Sequence, residues 1–540
     1  MLWLLCLAYV LPGFVGRDPW KADDVEAFGF MLALLEGDSP WLQPLWLGEP
    51  DWDRGPLAYW LGALFMQLGP ASWWPWLSRL PFMALLGLTL AATWYAAYAL
   101  AREPSAQPVR FAFGGEARPA DYARALADGA LLALLATLGL ARLGHEATPA
   151  LAQLAAVSLL FFGLAGLERR RLPALMAIGL GCSGLAVAGA PVPALLLGGG
   201  GLLLQTLRSQ QGAQPRMRDL GVASLGLLMA MVLTGALSLW QWLLAMPSAA
   251  GWESWARLLL WFTWPCWPLA LWTLWRWRAQ LRQPHAHLHL ALPLWFVLVP
   301  LAGSAFSPSS ERLLLLALPA LAVLAALALP TLRRSMSALV DWFTLLFFSV
   351  CALTIWVVWL AMHSGWPAKP AANVARLAPG FEPQLSWALT ALAALATLGW
   401  LALVRWRVGQ HRSALWKSLA LPAGGAVLCW LLLMTLWLPL LDFGRSYAPM
   451  SARVRELIGD ARCVQQHGLT TAQAAGLHWH GQLQLVPAGP PRPECPWLLV
   501  DPESLARKPL DPSALGWTEH ATVRRPSSRD EDVVLYRGQP

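Results

Sequence analysis

The feature that most limits what this chain can fold into is a succession of long apolar runs almost free of charge. A bilayer core about 30 Å thick takes roughly 20 apolar residues in a helix. Runs of that order lie near 1–15, 73–100, 125–144, 149–167, 173–190, 192–207, 219–246, 256–275, 288–306, 313–330, 337–362, 385–404 and 416–440. They predict an all-α polytopic membrane protein with about thirteen transmembrane helices. Only 13% of the residues are charged, too few to solvate a surface that is not in lipid. The first run has neither a basic n-region nor a small-residue cleavage site, so an uncleaved span is expected there.

The net charge of +8 invites a nucleic-acid reading, but its distribution argues for membrane orientation. Arg169-Arg170-Arg171, Arg208/Arg216/Arg218, Arg276/Arg278/Arg282, Arg333-Arg334 and Arg405/Arg407/Arg412 fall in alternate loops. The intervening turns near His145, Pro191, Ser248 and Ser307 hold almost no Lys or Arg. Cytoplasmic loops carry the excess of basic residues, so this alternation places the 17–72 loop and the C-terminal tail outside the cytoplasm. No nucleic-acid partner is expected.

Residues 1–440 read as the membrane domain and 441–540 as a small α/β domain on the outer side. Short β-like runs appear at 463–465, 483–486, 497–500 and 533–536, with helical stretches near 452–458 and 472–477. Five of the seven cysteines lie in apolar runs and read as small buried hydrophobes. Cys463 and Cys495 stand alone in the polar tail, where an oxidising compartment would let them form a disulfide.

Charge deep within the spans is scarce, whereas ion-coupled transporters place it near the midplane. It gathers instead in the 17–60 stretch, at Arg79, at Arg142-Leu143-Gly144-His145-Glu146 and at Glu311-Arg312. Asp23, Asp24 and Glu26 head an amphipathic helix with Val25, Phe28, Leu32 and Leu35 on one face.

These residues resemble the polyprenyl-phosphate-sugar glycosyltransferases of the GT-C fold, the group containing aminoarabinose transferase and protein O-mannosyltransferases. Asp23-Asp24 is similar to the family's acidic pair on a juxtamembrane helix. Asp53-Arg54-Gly55-Pro56-Leu57-Ala58-Tyr59-Trp60 resembles its Glu-Lys-Pro-Pro-Leu-Tyr-Tyr-Trp segment, and Arg79-Leu80-Pro81 its following Arg-Leu-Pro. Arg142 to Pro149 looks like the second outer loop, with Glu146 as its carboxylate. Ser307 to Leu316 is similar to the segment whose basic residue contacts the donor phosphate. Three departures stand out: Arg54 for Lys, Gly55 for Pro, and Gly189-Ala190-Pro191 where the family often has Lys-Gly-Pro.

The resemblance implies a GT-C-type inverting transfer of a sugar from a polyprenyl phosphate to a lipid (lipid A-like) or glycan acceptor in the envelope. The expected setting is the outer face of a bacterial inner membrane. A phosphate leaving group needs little protonation but does need cations, a role for Arg54, Arg312 and Arg79. An acceptor hydroxyl needs a base, which Asp23 would supply with Asp24 or Glu146 orienting. Asp53, Tyr59 and His145 are expected beside the substrates. No cofactor is called for, and a divalent metal has no sequence support.

Simpler readings stay open. Asp23 would cap a helix over 24–35, Arg54 would be a solvated interfacial charge, and Arg79 and Arg142 would snorkel at helix ends. His285, His287 and His289 lack a neighbouring carboxylate or Cys to complete a metal site, as do His478 and His480. An oligosaccharide ligase or polymerase using a polyprenyl diphosphate, and a lipid or sugar transporter, remain as alternative functions.

Overall fold

The computed structural model describes residues 2–50, 55–108, 117–209, 217–240, 248–332, 334–408, 417–506, 508–526 and 531–538. Every expected apolar run has a helical counterpart among them. Among the described residues, eight helices are long and apolar enough to cross a membrane: Ala71–Ala101, Pro149–Gly166, Met217–Ala236, Leu288–Ala305, Ser310–Thr331, Ala338–Ser364, Trp387–Arg407 and Leu419–Leu436. Shorter helices cover Leu2–Val10 and Arg171–Val187, and a further helix of 19 residues covers Pro191–Ser209. Two helices form the centre, Pro149–Gly166 and Ser310–Thr331, each 89% buried along its most apolar window. Ala338–Ser364 and Trp387–Arg407 are only 17% and 11% buried, so their Leu, Phe and Trp side chains face outward as a lipid-facing surface must.

Two expected spans are broken. The 125–144 run becomes Pro119–Leu135 and Leu138–Leu143, and the 256–275 run becomes parts of Ala249–Phe262 and Cys266–Arg276. Pro265 explains the second break, since proline lacks the N–H that would continue the ladder and disfavours helix at the residue before it. The breaks face each other. The Leu138 N–H donates to the Trp264 carbonyl at 3.2 Å, and the Cys266 thiol donates to the Ala133 carbonyl at 3.3 Å. Backbone freed from a helix at membrane depth needs such a partner inside the protein.

The charged residues sort onto two ends of this helical body. At one end Arg208 holds Glu103 at 2.6 Å and Glu168 at 3.2 Å, and Arg169 donates to the Arg102 carbonyl at 2.7 Å. At the other end lie residues 13–24, Arg79, 142–147 and 311–312. Of the arginines used to orient the chain, Arg216, Arg333 and Arg412 lie outside the described residues.

Within the first loop, β1 (Leu45–Trp46) and β2 (Glu49–Pro50) form a short antiparallel pair. The tail forms a five-stranded sheet from β3 (Cys463–His467), β4 (Gln484–Pro487), β5 (Trp497–Val500), β6 (Trp517–Arg524) and β7 (Asp532–Gly538), in the order β4-β3-β5-β7-β6. The first three strands are parallel, and β7 and β6 add antiparallel. The tail helix, Thr471–Gly481, makes the crossover from β3 to β4 and starts with a capping box between Thr470 and Gln473. Cys463 and Cys495 are joined by a disulfide with Cα atoms 4.7 Å apart. β6 is the strand the sequence pattern does not reveal. It is an edge strand with Thr518, Glu519 and His520 exposed and a bulge between Glu519 and Ala521, so it lacks clean alternation.

Candidate active site

The loop helix, Ala22–Glu36, begins two residues earlier than a cap at Asp23 would require. Lys21 is the capping residue and Asp23 and Asp24 sit in the first turn. Asp23 is therefore not the helix cap.

Asp24 turns inward and is 1% exposed. One of its oxygens accepts from Arg17 Nη1 at 2.7 Å and the other from the Ala147 N–H at 2.9 Å. Arg17 is equally buried, and its remaining donors reach the Gly13 carbonyl at 3.0 Å and the His145 carbonyl at 2.7 Å. This one ion pair joins the first helix's exit, the start of the loop helix and the 144–148 turn. Burial alone would raise the Asp24 carboxyl. The Arg17 and Arg79 guanidiniums, with the hydrogen bonds from Arg17 and Ala147, outweigh it and hold the group below the usual carboxylate range. Arg79 is 2% exposed and donates to the Arg17 carbonyl, while its Nε and Nη2 find no partner among the described residues.

Glu146 is buried and bonded to Lys21, which also donates to the Arg142 carbonyl at 2.6 Å. Burial pushes the Glu146 carboxyl up, and the charge on Asp24 adds to that, against the pull of Lys21. His145 sits in an aromatic cage, stacked on Trp430 at 4.2 Å and edge-on to Tyr9 at 4.7 Å, with its Nε2–H donating to the Tyr9 carbonyl. Burial lowers its pKa to about 3, so the ring is neutral.

Asp23 points the other way. It is 37% exposed, and its Oδ1 accepts from Arg312 Nη2 at 3.0 Å. Arg312 lies in the first turn of the helix Ser310–Ala328, and its neighbour Glu311 holds Arg142 at 2.8 Å. Both Asp23 and Arg312 line a cleft of about 710 Å³ walled by Arg257, Trp261 and the Ser307–Ser310 turn. Here two carboxylates (Asp23 and Glu311), two guanidiniums and four serine hydroxyls, Ser254 among them, meet an open space. That arrangement can bind an anion and accept a proton beside it.

Of the remaining expected residues, Tyr59 is buried with its ring stacked on Phe30 at 4.8 Å, in the packing under the loop helix. Asp53 and Arg54 lie outside the described residues. The adjoining Gly55 is described, and a methyl group there would overlap the backbone of Val187 and Gly189. Two departures from the family pattern, Gly55 and the Gly189-Ala190-Pro191 turn, thus pack on each other.

Three residues have no separate role in the sequence reading: Arg17, Lys21 and Asp442. Their signal was charge in an apolar chain, but apart from the Arg17–Asp24 pair the partners that fix them, His145 for Arg17, Arg142 and Glu146 for Lys21, and Asp18 for Asp442, lie more than a hundred residues away. Asp442 accepts from the Asp18 N–H at 3.0 Å, and Trp20 is held between the Arg17 and Arg445 guanidiniums, 4.7 and 5.3 Å from its ring. Among the described residues, no group of three His, Cys, Asp or Glu is placed to hold a metal ion.

A helical membrane body with a charged loop helix at one end and a small mixed sheet over it defines a polytopic membrane protein of the GT-C architecture. Two solved structures share this fold over the whole chain. ArnT from Cupriavidus metallidurans bound to undecaprenyl phosphate superposes with a TM-score of 0.64 at 14% identity, covering 100% of this chain and 99% of that one. The same protein in its apo state gives 0.59 at 14% identity with the same coverage. At this identity the likeness establishes the fold. No protein-family model and no curated protein matches the sequence.

Proposed function

We propose that the protein is an inverting glycosyltransferase that moves a sugar from a polyprenyl phosphate to a lipid A-like or other envelope acceptor. The observation that carries the reading is the Asp23–Arg312 pair on the wall of an open cleft, beside a buried Arg17–Asp24 lock that fixes the helix bearing Asp23. The fold shared with a protein solved with undecaprenyl phosphate supports a polyprenyl-phosphate donor.

The chemistry follows from which groups face the cleft. The acceptor hydroxyl gives its proton to the Asp23 carboxylate as its oxygen attacks the anomeric carbon. The bond from that carbon to the phosphate oxygen breaks, and its electron pair leaves on the polyprenyl phosphate. Arg312 turns from Asp23 toward the phosphate and offsets the charge growing on it, with Arg54 as the second cation on the sequence pattern. Asp24 and Glu146 act by position: both are buried and bonded to cations, so they hold the loop helix and Lys21 in place. Single displacement inverts the anomeric configuration. In this reading the loop helix and residues 441–540 lie on the extracytoplasmic side, where Arg alternation puts them.

The test is transfer by purified protein from defined polyprenyl-phosphate sugars to envelope lipid extracts, with products read by mass spectrometry and anomeric configuration by NMR. Transfer with inversion is expected. Sugar movement across vesicles without a new glycosidic bond would overturn the reading in favour of a transporter.

A further inference from the structure

The tail helix, Thr471–Gly481, lies along the loop helix that carries Asp23. The two approach closely because Gly29 has no side chain: a methyl group there would come within 2.7 Å of the Ala475 Cβ. Trp479 meets Phe28 of the loop helix edge-on at 5.3 Å and stacks on Trp74 at 5.9 Å. Polar contacts close both ends. His478 Nε2 lies 3.0 Å from Glu36 in the last turn of the loop helix, and His480 Nε2 lies 3.9 Å from Asp18, before its first turn.

His478 has an unusual pair of partners. Its Nδ1 faces the Leu483 carbonyl at 3.0 Å and its Nε2 faces the Glu36 carboxylate, and both partners can only accept. A neutral ring has one N–H and satisfies one of them; the imidazolium satisfies both. The Glu36 hydrogen bond accordingly raises the His478 pKa against the effect of burial. The charged groups acting on His478 are Glu36 and Asp38, both at the end of the loop helix, and on its own helix His480 faces Asp18.

We infer that His478 is a positioning residue: as an imidazolium it clasps the tail helix to Glu36 and, through the loop helix, keeps Asp23 aligned with Arg312. The tail thereby gains a role in the reaction without touching substrate. This rests on the reading of Asp23 as the base. The sign is fixed by the chemistry. A raised pKa means that the clasp is complete at low pH and is lost as pH rises through that pKa. Turnover should therefore carry an alkaline limb set by His478.

Two variants test it in the full-length protein, His478→Gln and Glu36→Gln. Both should lower kcat roughly tenfold near neutral pH, with KM for the donor within about twofold, because alignment and not binding is lost. His478→Gln should also flatten the alkaline limb. Hydrogen exchange of the loop-helix amides needs no substrate: wild-type protection should fall as pH rises through the His478 titration, after correction for intrinsic exchange, and in Glu36→Gln it should be low throughout. Protection in Glu36→Gln that matches wild type at every pH overturns the clasp. An unchanged alkaline limb in His478→Gln overturns its effect on Asp23. Absence of transfer by wild type overturns the transferase reading instead, and the exchange measurement tells the two failures apart.

Discussion

Asp23 and Asp24 are neighbours on one helical turn with opposite surroundings: Asp24 is closed around Arg17 at 2.7 Å, while Asp23 meets Arg312 at 3.0 Å on the wall of an open cleft. Their substitutions should separate cleanly. Breaking a buried ion pair by removing one partner costs about 3–5 kcal/mol, because the other charge is left unpaired. Asp24→Leu should therefore lower the thermal midpoint in detergent markedly, and Arg17→Met added to it should recover part of the loss. Since the Asp24 pKa is depressed, the pair's contribution is present above the carboxyl's unfolded value and lost as pH falls through the folded one.

Asp442 gives the opposite pH dependence. Burial, then the charge on Asp18, raises its pKa to about 6. A raised carboxyl favours the protonated form in the fold, so a penalty on the order of 2–3 kcal/mol grows in as pH rises through that value. Asn keeps an acceptor for the Asp18 N–H. Asp442→Asn should raise the unfolding midpoint at pH 8 and leave it unchanged at pH 4; an equal shift at both would remove ionisation as the cause.

Gly55 is where a single methyl should matter most. The backbone of Val187 and Gly189 occupies the space of a side chain, and backbone cannot step aside as a rotamer can. Gly55→Ala should reduce the yield of folded protein or displace the 55–57 segment, visible as new proteolytic cleavage there. Gly37→Ala is a weak control, because its positive φ is strained by itself.

The helical body was legible because lipid demands long apolar runs, and each run expected in the sequence has its helix. What hydropathy could not show is how backbone is satisfied where a run breaks. The 137 and 264 breaks find each other across more than a hundred residues, and only Pro265 announced one of them. In the tail, β5 and β7 were legible from the apolar runs 497–500 and 533–536, whereas β6, with one side bare and a bulge, was not. In the site, the acidic pair, His145, Glu146 and Arg312 were singled out by charge in an apolar setting. Their division into buried and open groups was not visible, since it depends on Arg17 and the Ala147 N–H reaching Asp24 from separate segments. The helix start at Ala22, with Lys21 as its cap, likewise follows from tertiary contacts and not from capping preference.

The disulfide offers a check on the tail's compartment. Cys463 and Cys495 close a loop of 32 residues, which the chain-entropy model values at roughly 4 kcal/mol. Peptide mapping of non-reduced protein from intact membranes should recover the linked pair. Both thiols free would place the tail in a reducing compartment and reverse the orientation inferred from the Arg loops.

The central claim is that Asp23 takes the acceptor's proton, and one substitution isolates it. Asp23→Asn keeps the size of the side chain and its hydrogen bond to Arg312 and, because Lys21 is the helix cap, removes no capping interaction. The measurement is single-turnover transfer from a polyprenyl-phosphate sugar, with thermal stability and donor binding recorded on the same preparation. The account predicts a rate lower by roughly 10²-fold or more, the scale of a positioned base, with stability and donor binding close to wild type. Wild-type turnover by a stable Asp23→Asn protein would contradict it.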